Sequence, residues 1–118
     1  MKKPSLSSDV YFRFLQLTHA IRGLPSLPDL DPLEERILNL VAHASAQKER
    51  LCVRDMMANH ELGAPATIHT RLKSMRHKGW ISLADTEDAR RKQIQLTPAA
   101  QKHFQKLSDC MVQAVSKD

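Results

Sequence analysis

Apolar residues in this chain recur mostly at helical spacing, in runs separated by proline-bearing or charged stretches, and near the middle they switch to alternation. The first run, Val10, Phe14, Leu17 and Ile21, predicts a helix capped by Ser8 and stopped at Gly23, with residues 1–7 polar and frayed ahead of it. Tyr11, Phe12 and Leu15 widen its apolar face beyond what one core contact needs, which suits either burial within one subunit or packing against a second. Pro25 and Pro28 then mark residues 24–30 as a stiff connector, because proline lacks an amide hydrogen and restricts the residue before it. Asp31-Pro32-Leu33-Glu34 has the form of a capping-box start with proline at the first helical position, and Leu33, Ile37, Leu40, Val41 and Ala44 carry that second helix onward.

Beyond the charged loop Gln47-Lys48-Glu49-Arg50, Leu51-Cys52-Val53 predicts one short edge strand, residues 54–60 a short helix, and Leu62-Gly63 the turn into the next. That next helix covers residues 65–78: Ile68, Leu72 and Met75 form one apolar stripe, Pro65 suits its first turn and Gly79 its end. Trp80-Ile81-Ser82-Leu83-Ala84 and Gln93-Ile94-Gln95-Leu96-Thr97 both alternate, so Ile81 and Leu83 should face inward opposite Ile94 and Leu96 as an antiparallel ribbon around a charged loop, residues 85–92. Thr97-Pro98 repeats the cap-plus-proline signal, and Ala100, Phe104, Leu107, Met111 and Ala114 line a final helix. The expected fold is mainly α with a small β-ribbon, a winged helix-turn-helix with flanking N- and C-terminal helices. The expected division is 1–30, an N-terminal helix and linker as a candidate dimerisation arm; 31–97, the winged helix-turn-helix; and 98–118, a C-terminal helix as a second candidate dimerisation element.

A chain of 118 residues suffices for a single core. Lysine and arginine outnumber the acids 18 to 13, which favours an acidic partner such as nucleic acid. Residues 64–78 hold Arg71, Lys73, Arg76 and Lys78 without one acid, most of the chain's net +5. On that helix the face opposite the apolar stripe carries Ala66, Thr70, Lys73 and His77, flanked by Thr67, His69 and Ser74, a mixture of small, hydrogen-bonding and cationic side chains suited to a groove of duplex DNA. With no apolar run of membrane-spanning length and no apolar leader after Met1, a cytoplasmic protein with no membrane association is expected. Cys52 and Cys110 are expected to be structural thiols.

A helix-turn-helix followed directly by a charged ribbon leads to a specific resemblance. The run Asp88-Ala89-Arg90-Arg91-Lys92-Gln93-Ile94-Gln95-Leu96-Thr97 resembles the wing of MarR-type transcriptional regulators: Asp, any residue, Arg, three residues, an aliphatic, any residue, Leu-Thr. Lys78-Gly79-Trp80-Ile81 before it also fits, and the similarity covers about residues 31–100. The chain departs from the family at Cys52 and Ala64, where helix-capping Ser or Thr is usual, at Thr70, where Arg is frequent, and in a C-terminal segment with room for one helix instead of two. The resemblance implies that Arg90 reaches into the minor groove while the recognition helix enters the major groove. The DNA-contacting set is then Pro65, Ala66, Thr67, His69, Thr70, Arg71, Lys73, Arg76 and His77 on the helix, with Arg90, Arg91 and Lys92 on the wing.

No catalytic constellation or phosphate-binding glycine loop is present in the sequence, so an enzyme is not expected, nor is a cofactor. Histidines 19, 43, 60, 69, 77 and 103 form no i, i+4 pair of the kind that binds zinc. The expected partners are double-stranded DNA and a second copy of the chain, and no motif specifies a small-molecule effector. The competing reading is a winged helix used for protein contact or complex assembly, since a fold does not dictate its use.

Overall fold

A computed structural model describes residues 3–21 and 27–116. The chain is mainly helical, with one two-stranded antiparallel sheet, in the order α1 (Lys3–Ile21), α2 (Pro32–Ala46), α3 (Val53–Met57), α4 (Pro65–Lys78), β1 (Ile81–Asp85), β2 (Lys92–Leu96) and α5 (Pro98–Ser116). It divides into two compact units, Leu27–Ala100 and the pair Met1–Ser26 with Gln101–Asp118. This differs from the expected division mainly in joining the two ends of the chain in one unit.

The unit Leu27–Ala100 is built on α2. The Asp31 carboxylate accepts the Glu34 amide at 2.8 Å, and the Glu34 carboxylate accepts the Asp31 amide at 2.8 Å, a reciprocal cap that starts the helix sharply. Its buried face is Glu34, Ile37, Leu38, Val41 and Ala44. Leu40, expected inside, is exposed, and Leu38 takes its place: both sets fit the helical period, but the packed arc is turned from Leu33 and Leu40 towards Glu34 and Leu38, with Ile37, Val41 and Ala44 common to the two. The expected edge strand at 51–53 reduces to one antiparallel bridge, Cys52 with Gln93, supported by the Ile94 amide donating to Leu51 O at 2.8 Å. It ends there because Val53 already belongs to α3, whose start is fixed by the Cys52 amide donating to the Asp55 carboxylate at 2.9 Å. The helix α3 also stops earlier than expected, at Met57. The Asn59 side chain takes the Glu61 amide, diverting a local hydrogen bond from the helix. The ribbon pairs Ile81 with Leu96 and Leu83 with Ile94, the register that alternation predicts, although β1 starts at Ile81, one residue beyond Trp80. Ile37, Met56, Ile68, Met75, Ile81 and Ile94 meet in the core, so α2, α3, α4 and the sheet share one apolar interior.

In the other unit, α1 begins at Lys3 with Pro4 in its first turn, where proline is tolerated, so Ser8 lies inside the helix and does not cap it. The expected stop at Gly23 lies outside the described residues. The Arg13 guanidinium donates through Nε and Nη2 to Ala114 O of α5 at 2.9 and 2.6 Å. On α5 the buried positions are Cys110 and Ala114, with Phe104 and Leu107 half-buried. Met111, assigned inward from the sequence, is 55% exposed although it shares the helical face of Leu107 and Phe104; towards the end of α5 the covered positions are Cys110 and Ala114, on one side of that face. Tyr11, Phe12 and Leu15 on α1, and Met111, Val112 and Val115 on α5, leave exposed apolar stripes on this unit. Among the described residues no helix is long and apolar enough to cross a membrane.

Candidate functional site

The helix α4 spans the residues that periodicity predicts. Ala64 offers its N-terminus no side-chain cap, and Pro65 lessens the deficit by occupying a position that needs no amide. At the other end Gly79 adopts φ 90°, its amide donates to Arg76 O at 3.0 Å, and the Trp80 amide reaches back to Met75 O at 3.0 Å. The left-handed backbone is what calls for glycine here; a Cβ would also meet Leu27 Cδ2 at 3.3 Å, a tight contact that the end of the leucine side chain can relieve by a small shift.

Ile68, Leu72 and Met75 are buried and commit one face to the core. On the other side Pro65, Ala66, Thr67, His69, Thr70, Lys73, Arg76 and His77 are all exposed, which brings these candidates together on one continuous surface. The Thr70 hydroxyl donates to Ala66 O at 3.0 Å, so its hydrogen is used within the helix and its lone pairs face outward as acceptors.

The four cations of α4 divide into two classes. Arg71 turns towards the start of α2, its Nε 2.8 Å from Asp31 Oδ2, a charge contact and not an aligned hydrogen bond. Lys78 donates from Nζ to Glu34 Oε1 at 2.9 Å and to Asp29 O at 2.8 Å. Glu34 is 2% exposed. Burial pushes its carboxyl up, yet the Lys78 ammonium, the Asp31 amide and the Ser74 side chain together outweigh burial and hold it below the usual carboxylate range. Trp80 adds a third tie, its indole Nε1 donating to Pro28 O at 2.7 Å. Residues 28–34 thus fasten the C-terminal half of α4, and Lys73 and Arg76 are the cations of α4 that face no carboxylate among the described residues.

The loop between β1 and β2 is held by Thr86, whose hydroxyl lies 2.8 Å from Asp88 O and 2.9 Å from Arg91 O, and by Asp88, whose carboxylate accepts the Arg90 amide at 3.0 Å. Arg90 projects with its side chain 84% exposed and Nε 3.5 Å from Asp88. Arg91 lies 3.7 Å from Asp55, Lys92 pairs with Asp85, and Arg50, from the loop before α3, pairs with Glu87. Those pairings hold the Asp85 and Glu87 carboxyls below their ordinary range.

Sequence reasoning missed the anchoring of α4. Glu34 was visible as a capping residue, but it also sits on the same stripe as Ile37, Leu38 and Val41, and a carboxylate on an apolar stripe signals a buried charge in need of a partner. Arg50 carried no local signal, since its partner lies 37 positions away. Compared with known proteins, the chain matches no family model and no curated protein.

Proposed function

We propose that the chain is a sequence-specific double-stranded DNA-binding transcriptional regulator with a winged helix-turn-helix of the MarR type. In this reading α4 lies in the major groove and the β1–β2 loop lies on the backbone or the adjacent minor groove. The observation that carries it is the exposed face of α4: eight adjoining side chains from Pro65 to His77, small, hydrogen-bonding or cationic, with no acid among them. Lys73 and Arg76 are free to meet phosphates, and Thr67 and Thr70 have the size and acceptors to approach base edges. The exposed apolar stripes of α1 and α5 support a homodimer joined through those helices, which would give a palindromic site.

The test is a gel shift against random duplex DNA at low salt, followed by selection of bound sequences from a random duplex pool. Retarded complexes and an enriched palindrome are the expected outcome. Absence of retardation at every protein concentration would overturn the reading in favour of a protein-contact module, for which the same apolar stripes would be the docking surface.

A further inference from the structure

The β1–β2 loop and its surroundings carry as many carboxylates as cations, and each cation is matched: Arg50 with Glu87, Arg90 with Asp88, Arg91 with Asp55 and Lys92 with Asp85. The Arg90 and Arg91 partners have other tasks. Asp88 accepts a loop amide, and Asp55 accepts the amide that starts α3. Asp85 and Glu87 have lighter duties: their side chains are 81% and 78% exposed, and apart from a contact between the Glu87 carboxylate and its own amide, the cation is the hydrogen-bond partner each side chain holds. Asp85 faces Lys92 on the last rung of the ribbon, but an exposed cross-strand ion pair contributes little, so the hairpin does not depend on acid at these two positions.

We propose that Asp85 and Glu87 are specificity-determining residues that suppress binding to arbitrary DNA by occupying Lys92 and Arg50. The inference rests on the DNA-binding reading above. Exposed ion pairs are weak, so a phosphate can displace either carboxylate, but the displaced carboxylate stays beside the phosphate and repels it. A duplex that also satisfies the exposed face of α4 overcomes that repulsion, whereas a random duplex offers only phosphates and loses most of its attraction to the loop. The two acids therefore weaken non-specific binding more than specific binding and widen the ratio between them.

Asp85→Asn and Glu87→Gln, singly and together, should be titrated against the selected site and a scrambled duplex over a range of salt concentrations, beside Asp109→Asn on α5, which makes the same change in net charge. Each loop variant is expected to bind the scrambled duplex roughly two- to fivefold tighter, with a smaller gain on the selected site. Its salt dependence should steepen by about one unit per subunit as a freed cation takes up a phosphate. The gain of Asp85→Asn should vanish when Lys92→Gln is added, and that of Glu87→Gln when Arg50→Gln is added. Unchanged binding by the loop variants, an equal gain from Asp109→Asn, or a gain that survives loss of the cation would each overturn the proposal while leaving the DNA-binding reading in place. A wild-type chain that binds no duplex overturns both.

Discussion

The helix α4 and the β1–β2 loop both bring cations to one unit of the molecule, yet they handle them in opposite ways. On α4 the acids that balance charge come from elsewhere in the chain: Asp31 and Glu34, at the start of α2, take Arg71 and Lys78 on the side that packs into the fold, and the outward face is left with Lys73 and Arg76 uncompensated. On the loop the balancing acids lie mostly within the loop itself, and Arg90, Lys92 and Asp85 are exposed while Asp88 is half-buried. The difference follows from position. A helix that buries one face can fix its long cations against neighbours on that side, whereas the hairpin loop projects from the ribbon and balances most of its charge locally, drawing Asp55 and Arg50 from outside it. One element is a rigidly held surface with net positive character; the other is an exposed tip with little net charge.

The largest expected effect comes from breaking the anchoring of α4. Glu34→Ala removes half of the α2 cap, the partner of Lys78 and buried volume in one step, and should lower stability by about 2–4 kcal/mol, read from the unfolding midpoint. The effect falls below that of a fully enclosed pair because the Lys78 side chain is 27% exposed. Glu34 also makes the anchoring pH-dependent. Its carboxyl is held below its ordinary value near 4.5 in the folded chain, so its stabilising contribution is fully present above that value and is lost as pH falls through the lower, folded value. Lys78→Met should flatten this acid limb of the stability profile, and an unaltered limb would show that the acid sensitivity lies elsewhere.

The next effect sharpens the comparison at the level of DNA. If α4 reads DNA as proposed, Thr70→Ala should cost about 1–3 kcal/mol on the preferred site and little on a scrambled duplex, because an outward acceptor is lost while the exposed Lys73 and Arg76 stay. Arg90→Ala should instead weaken both duplexes to a similar degree, by roughly 1 kcal/mol, and lower the salt dependence by about one unit per subunit. Equal weakening by Thr70→Ala on both duplexes, or no change from Arg90→Ala on either, would erase the distinction between helix and loop. The smallest effect is expected beneath the ribbon. Cys52→Thr places a better acceptor at the start of α3 while keeping the bridge to Gln93, and should raise stability by about 0.5–1 kcal/mol. A lowered midpoint would show that the buried thiol of Cys52 matters for packing more than for capping.

What the sequence determined by itself was everything governed by local spacing. The bounds of α4, the glycine that ends it, the capping box of α2, the cap of α5 by Thr97 and the register of Ile81 and Leu83 against Leu96 and Ile94 all follow from periods of 3.6 or 2 and from a few capping side chains, whose partners lie within a turn. The exposed face of α4 was legible for the same reason, being the complement of Ile68, Leu72 and Met75. Tertiary structure alone decided which charges on that helix are available. A window of Arg71, Lys73, Arg76 and Lys78 looks uniformly basic in one dimension, but Asp31 and Glu34 reach two of the four from about forty residues away. It likewise decided that Leu38 and not Leu40 faces inward, that Met111 faces out, and that Arg50 belongs with Glu87. Spacing along a chain specifies which side of an element is apolar; the direction from which a neighbour arrives, and the charge it carries, is settled only when the elements pack.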